Sequence, residues 1–403
     1  MLRSAIFLCF LFTEPIWVTG AEEPPALLRL PGSGADPEKI DYAALPSLSG
    51  IHAVIHPANI GSFGKKLDAV DIHHLRLQLH NYLIWNDDRF WCIWSDGPRI
   101  EDLPTQEIKY STSREGTEWA AAKTVTGTPD APYAFIARGL WLRDGELLAL
   151  GAHYKGPGAF GNDKDLQLQA YRWDKATERW KFKGKLYDDA INNFPPQRLP
   201  NGDWILTRRD ARFHVSMLIG GRRSLDDWKS FPVTGAGNGG RFRPDEPVFW
   251  PLPDGTLLGL YRDNGGSHRL FRATSNDQGR SWSKPQITNF PNATSKLFSL
   301  KISRGYRILI LNAHPRVGRR ELYLACSRDE KIFTRLARLA IPSPPKMAAD
   351  ISRLKHKFTS GIASLQYPHA IEHDGKLFIA FSRLKTQTEI FIVSLDSIDN
   401  LLE

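Results

Sequence analysis

Short alternating apolar runs recur along the chain, and six pairs of them straddle a tight polar turn. These are YLIWNDDRFWCIW, LWLRDGELLALGA, QRLPNGDWILTRR, VFWPLPDGTLLGLYR, LKISRGYRILILN and AIEHDGKLFIAFSR. Alternation places one face of a strand in a core, and Asp-Gly or Asn-Gly between two such runs is a strong hairpin signal. The turns fall at Asp88, Asp144, Asn201, Asp254, Arg304 and Asp374, with spacings of 56, 57, 53, 50 and 70 residues. A period in this range predicts an array of like units, each unable to bury its apolar face alone. No long helical periodicity competes with it.

A second, weaker hairpin follows each of the first. Its best version is SNDQGRSW, Ser275 to Trp282. Asp277 can accept bonds from backbone N–H groups just beyond it, Gly279 permits positive φ, and Trp282 folds back onto the strand pair. TSREGTEW (Thr112 to Trp119) keeps the hydroxyl, glycine and tryptophan but carries Arg114 in place of the aspartate. Ser224 to Trp228, Ser327 to Asp329 and Ser394 to Asp396 are eroded copies, and Asp174 to Trp180 is a poor one. The turn is therefore structural. Six units of two hairpins predict an all-β, six-bladed β-propeller, which protects its strand edges by radial repetition. Residues 71–403 form that propeller, and the Pro- and Gly-rich residues 22–70 form an N-terminal extension packed on it.

The start of the chain reads differently. Met-Leu-Arg, the apolar run AIFLCFLF and Val18-Thr19-Gly20-Ala21 describe a cleaved signal peptide over residues 1–21, too short to span a bilayer. A secreted or periplasmic monomer without a membrane span is expected. Cys9 leaves with the signal, and Cys92 and Cys326 read as buried, inert thiols. The formal charge of +9 survives cleavage, because Arg3 and Glu14 leave together. That charge is dispersed, without a Lys/Arg block. It suits an acidic glycan and disfavours nucleic acid. Asn292-Ala293-Thr294 is a glycosylation sequon. No HExxH or paired metal spacing occurs, and neither a metal nor a cofactor is expected.

The antiparallel order puts the six turns on one face and gathers first-strand starts and second-strand ends on the other. That second face is polar: Asp96, Glu101 and Asp102; Arg138 and His153; Arg208, Arg209 and Asp210; Asp245, Glu246 and Arg262; Asn312, His314, Arg319 and Arg320; Tyr367, His369 and Arg383. Guanidiniums ringed around one or two acids make a pocket for carboxylate or sulfate.

SNDQGRSW resembles the Asp-box of the sialidase superfamily, and EPVFWPLPDGTLLGLYR through SNDQGRSWSKP resembles a whole sialidase-type blade. The resemblance runs from about residue 70 to the C-terminus. It implies an exo-α-sialidase-like glycosidase that releases an acidic terminal sugar. By it, Tyr367 in LQYPHAIEHDG is the nucleophile and Glu246 in DEPVFWPLPDG activates it. Asp102 is the acid/base, with Asp96 behind it. Arg262 and either Arg319 or Arg320 are two of three carboxylate-binding arginines, and Arg138, Arg383 and His314 are further substrate-binding candidates. The family's Arg-Ile-Pro at the start of blade one is absent: LQLHNYLIW offers Gln78 or His80, while Arg29-Leu30-Pro31 lies far upstream. The sugar can therefore be sialic acid or a uronic or sulfated relative. A neutral tyrosine suits an anionic sugar, which would repel a carboxylate nucleophile. Two other classes fit the same residues. One is a polysaccharide lyase in which Tyr367, His369 or His314 moves the proton; the other is a non-catalytic glycan-binding propeller.

Overall fold

Six sheets, antiparallel but for one added edge strand, form a ring of six blades. The structure, a computed structural model, describes residues 26–58, 76–98, 101–233, 244–342 and 364–403. The expected signal peptide, residues 1–21, lies outside the described residues.

Blade one comprises Arg76–Trp85, Phe90–Pro98, Glu107–Ser113 and Lys123–Thr124. Blade two comprises Tyr133–Arg143, Glu146–Lys155, Gln167–Asp174 and Arg179–Asp188, and blade three Gln197–Arg198, Trp204–Arg209, Val215–Gly220 and Trp228–Pro232. Pro244–Pro251, Leu257–Asp263, Arg269–Ser275 and Gln286–Pro291 make blade four. Blade five holds Phe298–Lys301, Arg307–Leu311, Tyr323–Ser327 and Arg335–Leu339. In each of these blades the expected turn joins the first strand to the second. Asp88 and Asp144 adopt left-handed φ of 53° and 49°, as tight hairpins demand.

Blade six departs from the expectation. Its strands Leu365–His373, Lys376–Arg383 and Gln387–Ser394 are followed by a short helix, Leu395–Asp399, rather than a second hairpin. Ser394 caps that helix, its Oγ accepting from the Ser397 amide at 3.1 Å, so Ser394 to Asp396 is a helix start and not an Asp-box copy. The missing outer strand comes from Ile51–His56, which pairs antiparallel with Gln387–Ser394, Ile51 opposite Ile392. Ser47–Leu48 adds a parallel fifth strand to blade five. The segment ahead of blade one thus supplies propeller strands, and the two distant parts of the chain clasp one another.

Between the blades pack Trp91, Trp94 and Trp250, each no more than 2 % exposed. Cys92 and Cys326 are fully buried free thiols. Asn292 is 1 % exposed and its side-chain Oδ1 accepts from the Ser295 amide at 2.9 Å, so the sequon asparagine is core and not a glycan attachment point.

The Asp-box works as its residues suggest. Asp277 Oδ1 accepts from the Arg280 and Ser281 amides at 3.0 and 2.8 Å, and Trp282 Nε1 donates to the Gly279 carbonyl at 3.1 Å. Gly279 has φ 89°, and a Cβ there would lie 2.6 Å from Ile205 Cδ1 of blade three. The turn therefore locks its blade to the preceding one. Trp282 is only partly buried, packed over Gly259 and the blade-three/four core. Trp282→Ala should accordingly cost about 2 kcal/mol, below the range for a fully buried tryptophan. A urea-denaturation midpoint that does not move would show that the indole is not holding the blades together.

Candidate functional site

Four inner strands carry a β-bulge at the same level: between Leu79 and Tyr82, Ala137 and Gly139, Asp245 and Val248, and Gln366 and His369. A bulge re-aims a side chain out of the strand's alternation. Here it turns His80, Arg138, Glu246 and Tyr367 into one neighbourhood. His80, Glu246 and Tyr367 sit at φ 59°, 42° and 55°, a left-handed geometry that non-glycine residues keep only where surrounding contacts enforce it. Asn193 and Lys296 take the corresponding places ahead of blades three and five. The set was readable in register: His80, Asn193, Glu246 and Lys296 each stand eight residues before their blade's turn residue.

Tyr367 is 8 % exposed. The His80 ring meets it edge-on at 4.7 Å, and Lys296 Nζ lies 5.3 Å from its ring centroid. Burial, then the carboxylates of Glu101 and Glu246, push the phenol well above its ordinary pKa, while Arg262 and Arg319 pull it back. Its hydroxyl forms no hydrogen bond to another described residue. The expected Tyr367–Glu246 hydrogen bond is therefore not made; the Glu246 carboxylate instead pairs with Arg262 at 2.7 Å. Burial would raise Glu246, but Arg262, Arg209 and Lys296 outweigh it together with the opposing Asp245, and the group stays ionised. Asp245 stands behind it, bound to Arg209, to Arg262 at 2.7 Å and to Asn264 at 2.6 Å.

Asp102 lies on the loop after the second strand of blade one, with φ 67°. Tyr154 donates to its Oδ1 at 3.1 Å. Burial first, then the neighbouring Glu101, push its carboxyl up to about 6, against the Tyr154 hydrogen bond, Arg138 and Lys385. Glu101 is held by Lys385 at 2.6 Å and by His80 Nε2 at 3.2 Å.

Arg138 is 2 % exposed, and its Nε and Nη1 have no hydrogen-bond partner among the described residues. Arg319 Nη1 donates to Gln366 Oε1 at 2.5 Å and Nη2 to the Thr294 carbonyl at 2.7 Å, both neutral acceptors. Arg320, one residue on, is exposed at the end of the same turn. Of the pair, Arg319 is the one set among the site residues.

Four candidates lie elsewhere. Arg383 is locked in a bidentate pair with Glu389 at 2.6 and 2.8 Å, and His52 bonds the same carboxylate from the N-terminal strand. That guanidinium fastens the clasp of blade six. His314 stacks on Tyr42 at 3.8 Å in an outer groove. His369 is a core residue: its Nδ1 accepts from the Leu83 amide at 3.1 Å, and burial followed by Lys296 lowers it to about 3. Asp96, the second choice for the acid, is paired with Arg76 and Lys109.

Lys296 was not anticipated. It is 2 % exposed, donates to the Tyr82 hydroxyl at 2.9 Å and the Asn193 carbonyl at 3.1 Å, and is ringed by Tyr82, Phe194 and Tyr367. Burial drives its pKa well below the usual lysine value, with Glu246 opposing.

The charges can be paired off. Asp245 and Glu246 balance Arg209 and Arg262, and Glu101 balances Lys385. Arg138 and Arg319 make no ion pair with a carboxylate among the described residues; Arg138 faces Tyr82, Glu246, Tyr367 and Asp102, and Arg319 faces Tyr367. Among the described residues no cluster of His, Cys, Asp and Glu could hold a metal, and no helix is long and apolar enough to cross a membrane.

The fold is that of a sialidase-like propeller. The BNR repeat-like domain family matches residues 67–379, well over half of the chain, and the chain belongs to that family. Trypanosoma rangeli sialidase in complex with sialic acid superposes with a TM-score of 0.62 at 12% identity, over 88% of this chain and 60% of that one. The NanB sialidase of Streptococcus pneumoniae gives 0.56 at 10%, over 79% and 68%. A protein of unknown function from Dyadobacter fermentans gives 0.64 at 14%, over 87% of this chain and 100% of that one. The chain thus spans about 60% of the trypanosomal sialidase and the full length of the Dyadobacter protein. No curated protein matches by sequence.

Proposed function

We propose that the protein is a secreted glycoside hydrolase that releases an acidic terminal sugar from a glycan. The observation that carries this reading is the pair of arginines, Arg138 and Arg319, without carboxylate partners beside Tyr367. A buried guanidinium left unpaired is costly, and a bound anion relieves it. The excess of positive charge is small, which favours a singly charged sugar such as a sialic acid or a uronate.

In this reading the carboxylate of the sugar lies against Arg138 and Arg319, with its anomeric carbon over the Tyr367 hydroxyl. Glu246, kept ionised by Arg262 and Arg209, draws the phenolic proton as the Tyr367 oxygen attacks. Catalytic hydrogen bonds often tighten only when substrate is bound, which accounts for the open Tyr367–Glu246 gap. Asp102, with its carboxyl raised to about 6, protonates the departing glycosidic oxygen and then deprotonates the water that frees the sugar. The sheltered Lys296 beneath the Tyr367 ring favours phenolate character when protonated. The histidine routes of a lyase lose their support, because His369 is core and His314 is in the outer groove.

The test is product analysis on glycans ending in sialic, uronic and sulfated sugars, with parent and Asp102→Asn proteins. A freed acidic sugar that disappears in the variant supports the reading. An unsaturated, ultraviolet-absorbing product would make the protein a lyase, and retention of intact glycan without product would make it a binding module. The pH profile adds a signed check. Asp102 must be protonated to act, so kcat/KM should fall as pH rises through about 6. Tyr154→Phe removes a hydrogen bond to the carboxylate form and should move this limb up by up to about one unit. Glu101→Gln removes a like charge and frees Lys385, so it should move the limb down. A limb that stays put in both variants would assign the titration to another group.

A further inference from the structure

The loop Asn312–Arg320 looks two ways. Inward, Arg319 reaches Gln366 and Thr294 at the edge of the site. Outward, His314, Pro315 and Arg316 line a separate groove of about 530 Å3, whose other walls are Pro37, Glu38 and Ile40–Ala43, the turn Ser267–Arg269 and Pro291. This volume falls within the roughly 300–1,000 Å3 typical of small-molecule sites.

The groove is built rather than accidental. Tyr42 is pinned by its hydroxyl, which donates to the Ala313 carbonyl at 3.0 Å, and its ring lies parallel to His314 with 9° between planes. His314 Nδ1 is sheltered from solvent with no hydrogen-bond partner among the described residues. Two guanidiniums, Arg269 and Arg316, and two carboxylates, Glu38 and Asp41, stand on the walls. Arg316 is exposed and shows no ion pair among the described residues, and His268, also exposed, lines the same groove. Arg269 has only a 3.7 Å pair with the highly exposed Glu38, a contact of little strength. Asp41 spends Oδ1 on the Ala43 and Ala44 amides. An aromatic wall and two guanidiniums, Arg316 without an ion pair and Arg269 in a weak exposed one, suit a flat, hydroxylated, anionic residue.

We infer that this groove is a second subsite, which binds a further acidic residue of the same glycan while the terminal acidic sugar occupies the Tyr367 site. The inference rests on the proposed function, and it makes the preferred substrate an acidic oligosaccharide rather than an isolated acidic sugar.

The experiment compares monomer and oligomer binding at 0.15 M salt, where non-specific attraction is screened beyond about 8 Å. Two probe series serve: free N-acetylneuraminic acid against its linked tetramer, and a sulfated uronate disaccharide against the hexasaccharide. In one series the parent should bind the longer probe about tenfold or more tightly. The Arg269→Ala/Arg316→Ala double variant, altered at surface positions that spare the core, should lose that gain and keep its affinity for the short probe. Arg138→Met should weaken both probes together. A long probe no tighter than the short one, or a gain that survives the double variant, overturns the subsite and leaves the central site standing. If neither length binds in either series, the acidic-sugar reading and the subsite fall together.

Discussion

Asp245→Asn is expected to destabilise the protein by about 3–5 kcal/mol, the cost of removing one member of a buried charge network. The Asp245 carboxylate is 3 % exposed and stands between two guanidiniums from different blades, Arg209 of blade three and Arg262 of blade four. It also accepts from Asn264 and from the Glu246 amide at 2.9 Å. Burial alone would raise its pKa, but Arg209 and Arg262 reverse this and hold it below the usual carboxylate range. The folded value thus lies below the unfolded one, near 3.9 for a free aspartate. Its contribution is complete above that value and is lost as pH falls through the folded pKa. An asparagine would leave Arg209 and Arg262 sharing Glu246 alone. Urea denaturation at pH 7 measures the effect, and a loss under 1 kcal/mol would show that water replaces the carboxylate.

The hairpin turns, their order and the blade count could be read directly, because period-two alternation and Asp-Gly turns are local signals. The closure of blade six could not. Nothing local in Ile51–His56 says that its partner is Gln387–Ser394, more than three hundred residues away, and Ser394 reads equally well as a box remnant or a helix cap. Asn292 shows the same limit. Its sequon is a surface signal only if the amide is outside, and here it folds back onto Ser295.

For the site, the sequence puts Tyr367, Glu246, Asp102, Arg138, Arg262, Arg383, His314 and either Arg319 or Arg320 on one face through strand ends in different blades. It could not separate arginines that are free from those already paired. Arg383 is equivalent to Arg262 by position, yet Glu389 on the neighbouring strand consumes it. Arg319 and Arg320 are adjacent, and only the short helical turn at Gly318–Arg320 decides which faces inward. Lys296 carries no local signal, because a lone lysine reads as a surface residue. Its register with Glu246, not its type, was the signal.

Tyr367→Phe should then abolish turnover while leaving the pocket intact. The phenyl ring keeps the edge contact with His80 and the position above Lys296, so the substitution removes one oxygen from a side chain whose hydroxyl bonds no described residue. Folding stability should change by less than about 1 kcal/mol, because no intramolecular hydrogen bond is broken. Affinity for an acidic sugar should stay within about threefold, since Arg138 and Arg319 carry the carboxylate. Removal of a nucleophile, by contrast, costs a factor of about 10⁴–10⁶ in kcat, because Glu246 cannot take over as nucleophile without facing the sugar's own negative charge. Mass spectrometry offers the complementary observation: a glycosyl adduct on the Tyr367 peptide of the parent, absent from the variant. A variant that binds and turns over as the parent does would remove Tyr367 from the chemistry, and it would leave Asp102 and Glu246 as a two-carboxylate pair to be tested in its place.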